Sequence, residues 1–199
     1  MHYKNIKEFK EEKKSPLEQF WLFLKADTWQ SWLVSILLIV LFIKLIFFPA
    51  LSLFTGSSLP LVVIESCSMY HESGFEEWWY KNSEWYESKD IAKSEFLSFP
   101  YKNGLNKGDI ILVIGKKEYS SGEIIIFNAA AAHPLIHRII SFNPLSTKGD
   151  HNSNQLDIER SISENAVIGK AALRIPILGW IKLIFFEPFR PAAERGLCR

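Results

Sequence analysis

Hydrophobic residues form one long uninterrupted segment near the N-terminus. Between Trp32 and Phe54 the only charged residue is Lys44, and the apolar run covers the roughly 20 residues that a membrane crossing needs. Tryptophans precede the run, as is typical of a membrane interface, and Pro49 predicts its end. We therefore expect a transmembrane helix over residues 29–50. A buried core helix is disfavoured because the segment has no polar face, and a cleaved signal peptide because the segment is too long.

Residues 1–28 predict a cytoplasmic tail with a short amphipathic helix. The string Ser15-Pro16-Leu17-Glu18 is typical of a helix start, and apolar residues follow at helical spacing. This helix would lie in the headgroup region or form the ragged start of the span; we favour the first interpretation. Residues 1–28 carry six lysines, whereas residues 49–80 carry no lysine or arginine. The distribution predicts a cytoplasmic N-terminus and an extracytoplasmic domain after the span.

Residues 57–190 contain short β-branched runs that predict strands. The runs are Leu61–Ile64, Ile110–Ile114, Ile124–Phe127, Ile136–Ile140 and Ala166–Ile168. Turn-forming residues separate them, so we expect a mostly β domain with short antiparallel connections.

An aromatic-rich insertion at residues 72–105 interrupts the predicted strands. Its aromatic residues recur at helical spacing. The insertion could pack on the β core, close over a cleft as a lid, or contact the outer membrane surface; we take packing on the core as the default. Residues 191–199 are expected to form a tail.

Composition excludes several classes of protein. The net charge is +1 and 48% of the residues are hydrophobic, which argues against a nucleic-acid-binding tail and against extensive disorder. The two cysteines, Cys67 and Cys198, have no spacing typical of a metal site, and we expect them to be free thiols. No cofactor or metal is expected.

Candidate chemistry begins directly after the first extracytoplasmic strand, at the string Glu65-Ser66-Cys67-Ser68-Met69-Tyr70. A serine nucleophile needs a base, and His137 lies in a predicted strand that would fix its ring. Carboxylates that could orient a histidine follow at Asp150 and Asp157. Lys107 and Lys148 are alternative bases. The remaining candidates, His71, His133 and His151, are each interpreted as loop histidines.

Six strings resemble, in order, the boxes of type I signal peptidases. They are Ser66-Cys67-Ser68-Met69, Lys107-Gly108-Asp109-Ile110-Ile111, Gly122–Phe127, His137-Arg138-Ile139-Ile140, Thr147-Lys148-Gly149-Asp150 and Ile168-Gly169-Lys170. The chain is most similar to the archaeal and endoplasmic-reticulum branch, which has histidine where bacterial enzymes have lysine. The resemblance covers residues from about 32 to 186.

The resemblance implies a role for each matching residue. Ser68 would be the nucleophile, His137 the general base and Asp157 the acid that orients the histidine, with Asp150 as the rival acid. The Ser66 hydroxyl would join the Ser68 N–H group in an oxyanion hole. Exported preproteins and the lipid bilayer would be the partners, with a protein-translocation channel as a further candidate and no nucleic acid.

The chain also departs from that family. Cys67 replaces a common glycine, Tyr70-His71 stands where a proline is usual, and Leu156 occupies the usual place of the second acid; we therefore assume a one-residue insertion before Asp157. Two other hypotheses remain open. One is a catalytically silent, membrane-anchored β scaffold, and the other is a membrane protease with a serine and a lysine base.

Overall fold

The computed structural model describes residues 14–115, 118–129 and 133–198, which form two compact units with a boundary between Pro49 and Ala50. Four of the N-terminal lysines on which the predicted orientation depends, Lys4, Lys7, Lys10 and Lys13, lie outside the described residues. The orientation therefore stays a prediction.

The first helix, α1 (Pro16–Leu24), begins as predicted. The Ser15 hydroxyl accepts a hydrogen bond from the Glu18 N–H group at 3.2 Å, and the Glu18 carboxylate accepts one from the Ser15 N–H group at 2.8 Å. This reciprocal pair satisfies two helix-terminal donors. No residue of α1 is buried.

The second helix, α2 (Trp29–Thr55), is 27 residues long and apolar enough to cross a membrane. The expected end near residue 50 is wrong, because the helix continues through Pro49 to Thr55. A wider π-helical turn at Ile43–Phe47 ends two residues before the proline. In a regular α-helix the proline ring would clash with the carbonyl group four residues earlier, and a widened turn relieves this conflict.

The second unit is built on one six-stranded antiparallel sheet with the order β1-β2-β6-β3-β4-β5. Its strands are β1 (Leu61–Val63), β2 (Ile110–Ile114), β3 (Ile124–Phe127), β4 (Leu135–Phe142), β5 (Leu145–Lys148) and β6 (Val167–Ile175). Each of the five predicted runs overlaps one strand, which confirms that strands form there, although Ile64 and Ala166 lie just outside β1 and β6. Strand β5 was not predicted, because its sequence, Leu-Ser-Thr-Lys, is largely polar.

The class "mostly β" is confirmed only in part, since among the described residues helices and 3₁₀ turns together outnumber strands at 40% against 18%. The difference comes from α1, α2 and three further helices, α3 (Phe75–Glu87), α4 (Lys93–Phe96) and α5 (Trp180–Phe186).

Apolar residues bury both faces of the central strand β3. Ile124 and Ile126 belong to one cluster together with Ile64 and Met69, while Ile125 belongs to another on the opposite face. Alternation of side chains along a strand explains this division. The first cluster extends to the segment that follows β1. It therefore helps to fix the turn at residues 66–69, which contains Ser66 and Ser68 and is called the serine turn below.

The aromatic insertion packs on the sheet, as the default interpretation predicts. Trp78, Trp79 and Tyr86 of α3 are buried with Phe96 of α4, and the same cluster includes Ile140 of β4. Many of these rings lie 5 to 6 Å apart in tilted or stacked pairs, which adds to the energy of burial.

The expectation of free thiols is wrong, because Cys67 and Cys198 form a disulfide. The two residues are 131 positions apart in sequence, so no local spacing could have predicted the bond. The segment after β6 returns to the serine turn, where Arg190 also contacts Glu65.

Candidate active site

Ser68 lies in a turn whose C-terminal side is firmly held by the core. The Leu105 N–H group donates to the Met69 carbonyl at 2.8 Å, and the His151 N–H group donates to the Ser68 carbonyl at 2.8 Å. Met69 itself is fully buried. These contacts fix the backbone of Ser68, while its side chain stays accessible at the end of β1.

His137 of β4 faces this serine. Its Nε2 atom lies 2.9 Å from Ser68 Oγ, and the residue is only 2% exposed. His137 is in register with Ile125 of β3, and its neighbour Arg138 pairs with Lys148 of β5. His137 therefore lies in a paired strand, as predicted.

Glu159 holds the other side of the imidazole ring. Its Oε1 atom contacts Nδ1 of His137 and also accepts a hydrogen bond from the Thr147 hydroxyl at 3.1 Å. The Leu156 N–H group donates to Oε2 at 2.8 Å. Glu159 is completely buried. Its Oε1 atom has two hydrogen-bonding neighbours and its Oε2 atom has one. The serine, the histidine and this glutamate thus form a continuous chain of hydrogen-bonding groups.

The expectation that Asp157 contacts His137 is wrong. The Asp157 side chain is 96% exposed and its nearest ionic partner is Arg160 at 3.5 Å. Both Asp157 and Glu159 belong to one 3₁₀ turn, Asp157–Glu159, in which the first carboxylate faces solvent and the last faces the core. The resemblance points to an aspartate at this position and therefore not to Glu159. The signal that could have identified Glu159 is its carboxylate, two residues after Asp157 in the same turn.

Asp150 is buried in a different network. It accepts hydrogen bonds from Arg138 at 2.7 Å and Tyr86 at 3.1 Å, and its Oδ2 lies 3.0 Å from His71 Nε2. Burial raises the pKa of Asp150, but the Arg138 guanidinium and the His71 hydrogen bond outweigh it and hold the pKa well below its ordinary value. Asp150 connects α3 to β4, in keeping with a structural role rather than contact with His137.

Ser66 is exposed beside Ser68. Its hydroxyl oxygen lies 3.2 Å from Ser68 Oγ. A hydroxyl at this position has the reach of an oxyanion donor. The structure therefore brings together Ser66, Ser68 and His137 of the predicted site residues.

Gly149 allows the loop after β5 to approach the site closely. A Cβ atom at this position would lie 2.9 Å from His137 Nε2 and 2.8 Å from the Ser68 carbonyl oxygen. Both distances are shorter than ordinary van der Waals contact, so a side chain here would displace the serine or the imidazole.

The two lysines considered as bases make other contacts. Lys107 donates to Glu187 at 3.0 Å and to the Glu194 carbonyl at 2.6 Å. Lys148 donates to the Gly149 carbonyl at 3.2 Å, and its ammonium group lies over the Trp85 ring. Burial lowers the pKa of Lys148 to about 8.

The other histidines are divided between two environments. His71 is buried and stacked on Trp78 with ring centroids 3.7 Å apart, and burial lowers its pKa. His133 and His151 are exposed. Among the described contacts, His137 is the histidine whose imidazole ring reaches the Ser68 hydroxyl.

A cleft of about 650 Å³ opens at Ser68. Apolar residues of β1 and of the start of β4 line it, and so do Ser68, His137 and three charged residues of the C-terminal segment, Lys182, Arg190 and Glu194. Because β1 is an outer strand of the sheet, its backbone on the side away from β2 has no strand partner among the described residues.

No protein-family model and no curated protein matches the chain.

Proposed function

We propose that this chain is a membrane-anchored serine endopeptidase that removes signal peptides from exported preproteins. The hydrogen-bonded series Ser68–His137–Glu159 at a cleft that apolar residues line in part carries the proposal. Such a series is the arrangement that activates a serine hydroxyl for attack on a carbonyl group.

The reaction follows from the two sides of the imidazole. Ser68 Oγ attacks the scissile carbonyl carbon while His137 Nε2 takes the hydroxyl proton, and the same nitrogen then protonates the leaving amine. Water repeats these steps to release the acyl group from Ser68. Glu159 keeps the proton on Nδ1 and stabilises the imidazolium ion. Base assistance of this kind contributes about 10² to 10⁴ in rate.

The oxyanion of the tetrahedral intermediate needs donors. The Ser68 N–H group and the Ser66 hydroxyl are our candidates, because the latter lies 3.2 Å from the nucleophilic oxygen. Losing one such donor typically lowers kcat by about 10² to 10³.

Two features of the cleft suit an extended apolar peptide. The outer strand β1 can accept a substrate segment as an added strand, and aliphatic side chains of β1 and β4 line one part of the cleft. The preference for small residues before the cut follows from the resemblance to type I signal peptidases.

The proposed location is the extracytoplasmic side of a membrane, with α2 as the anchor. The Cys67–Cys198 disulfide supports an oxidising compartment for the catalytic domain. Anchoring restricts the enzyme to substrates in the same bilayer and so raises their effective concentration. Preproteins and the bilayer are the proposed partners, and a translocation channel that delivers preproteins is a further one.

A lysine-based protease is the second candidate. One observation favours it, since a pKa of about 8 for Lys148 suits a general base. However, the Lys148 ammonium group bonds to the Gly149 carbonyl, whereas Ser68 is paired with His137. We therefore favour the histidine.

The proposal is tested by reconstituting the full chain in vesicles with a preprotein that carries an Ala-x-Ala site. We expect cleavage by the wild type and by the control Ser141→Ala, and none by Ser68→Ala or His137→Ala. An inert wild-type chain would favour the silent scaffold, and cleavage by His137→Ala would favour a lysine base.

A further inference from the structure

The N-terminal side of the serine turn depends on a distant part of the chain. The backbone hydrogen bonds between the segments around Ile64 and Gly108 end at Ile64. The next ones are a bond within the turn, from the Tyr70 N–H group to the Cys67 carbonyl at 3.0 Å, and those described above at Ser68 and Met69. Between Ile64 and Ser68 lie Glu65, Ser66 and Cys67, which include the proposed oxyanion donor. The three residues lack a strand partner among the described residues, so another element has to hold them.

That element is the segment from Trp180 to Cys198, which we name the C-terminal strap. The Arg190 guanidinium donates to the Glu65 carbonyl at 3.2 Å, and Lys182 donates to the Glu65 carboxylate at 2.8 Å. The disulfide then joins Cys67 to Cys198. Both residues that flank Ser66 are thus bound to the strap.

The strap is itself anchored to the sheet. Leu183 is fully buried, and the buried Lys107 next to β2 donates to both the Glu187 carboxylate and the Glu194 carbonyl. The Gly196 N–H group donates to the same carboxylate at 2.6 Å. The disulfide therefore joins Cys67 to a segment that is itself bound to the sheet.

We propose that the C-terminal strap is a positioning element of the active site, in which the Cys67–Cys198 bond keeps Ser66 and the Ser68 N–H group aligned for the oxyanion. This inference rests on the proposed function. Cys67 lies between the two serines, so a shift of its backbone changes the direction of the Ser68 N–H group directly. A misalignment of about 1 Å at a reacting centre can cost about 10² in rate.

The proposal makes the reaction sensitive to reduction. A dithiol breaks the S–S bond by exchange: its two thiols become a disulfide, and two electrons and two protons convert Cys67 and Cys198 to thiols. The ion pairs of Glu65 remain after reduction. We therefore expect partial and reversible loss of activity, with restoration on reoxidation.

The test compares preprotein cleavage by the full chain in vesicles before and after treatment with dithiothreitol. We expect reduction to lower kcat about tenfold or more while KM changes by less than about threefold. The variant Cys67→Ser/Cys198→Ser should have the low kcat of the reduced wild type and should not respond to dithiothreitol.

A second variant tests the strap without altering the cysteines. Arg190→Gln removes the donor to the Glu65 carbonyl and should also lower kcat, whereas Arg160→Gln, which changes an exposed arginine, should not. In hydrogen exchange, amides of Glu65 to Ser68 should exchange faster in the reduced chain.

Each result has a defined meaning. If reduction lowers the melting temperature but leaves kcat unchanged well below it, the bond only stabilises the fold and the proposal is overturned. Unchanged exchange at the serine turn would overturn it as well. A wild-type chain that cleaves no preprotein in either redox state would instead overturn the proposed function on which the inference rests.

Discussion

The carboxylate of Glu159 contacts Nδ1 of His137, the ring nitrogen that does not face Ser68. Because a carboxylate accepts hydrogen bonds, this contact places the proton of the neutral imidazole on Nδ1 and leaves the lone pair of Nε2 directed at the serine hydroxyl. The Thr147 hydroxyl and the Leu156 N–H group hold the carboxylate in place. The relationship leads to the first prediction.

Glu159→Gln should lower kcat by about 10³ or more, because an amide no longer enforces the correct tautomer or stabilises the imidazolium ion. Asp157→Asn is the matched control, since the Asp157 carboxylate is exposed in the same 3₁₀ turn. It should retain wild-type kcat. Initial rates of preprotein cleavage at equal enzyme concentration measure both. If Asp157→Asn were the inactive variant, the geometry described for Glu159 would not be the catalytic one.

Ser66→Ala should lower kcat by about 10² and leave KM nearly unchanged, because the lost donor acts on the oxyanion and not on the bound substrate. Ser66→Thr, which keeps a hydroxyl, should recover part of the activity. Steady-state kinetics on one preprotein distinguishes the two parameters. An Ala variant with wild-type kcat would remove Ser66 from the oxyanion hole.

Asp150→Asn should destabilise the fold by about 3–5 kcal/mol, because it leaves the buried Arg138 guanidinium without its counter-charge. The folded-state pKa of Asp150 is lowered, so its contribution is fully present above the unfolded pKa of about 4 and is lost as the pH falls below that value. Denaturant unfolding of the full chain in detergent at neutral and acid pH measures this. The wild type should lose more stability in acid than the Asn variant, and equal losses would contradict the assignment.

Lys148→Met should stabilise the fold at pH 7, because a buried ammonium group is replaced by an apolar side chain of similar length. The folded pKa of Lys148 is about 8 against an ordinary 10.5. The unfolded chain therefore binds more protons between these values, and wild-type stability should rise over that range. The advantage of Met should shrink accordingly above pH 8. Lys102→Met, at an exposed position, should show no such trend.

The same Lys148→Met variant separates the two candidate bases. We expect it to keep most of its activity, since Ser68 pairs with His137 and not with Lys148. Complete loss of cleavage in a folded Lys148→Met chain would favour the lysine-based protease.

Hydrophobic pattern was sufficient for most of the fold. Five β-branched runs became strands, and the Ser15 capping box became a helix start, because local sequence determines both. The helix end at Pro49 was missed, since a widened π turn at Ile43–Phe47 accommodates the proline. Strand β5 was missed because its burial comes from neighbouring elements and not from its own sequence.

Some residues of the candidate site can likewise be predicted from the sequence, and others cannot. Ser68 and His137 can be predicted from the sequence, because each belongs to a short string of residues that resembles a box of type I signal peptidases. The predicted acid was Asp157, with Asp150 as the rival, whereas Glu159 contacts His137. The direction of a carboxylate in a short turn depends on tertiary packing, which the sequence does not show. The Cys67–Cys198 bond could not be predicted either, because it joins two segments that are distant in sequence and meet only in the folded domain.

The proposed peptidase activity of Ser68 and His137 is tested most directly by measuring the masses of the two products released from a membrane-reconstituted preprotein with one Ala-x-Ala site. We expect a single cut immediately after the second alanine by the wild-type chain, and intact preprotein with Ser68→Ala and with His137→Ala. Intact preprotein with the wild type, or the same cut with either variant, would contradict it.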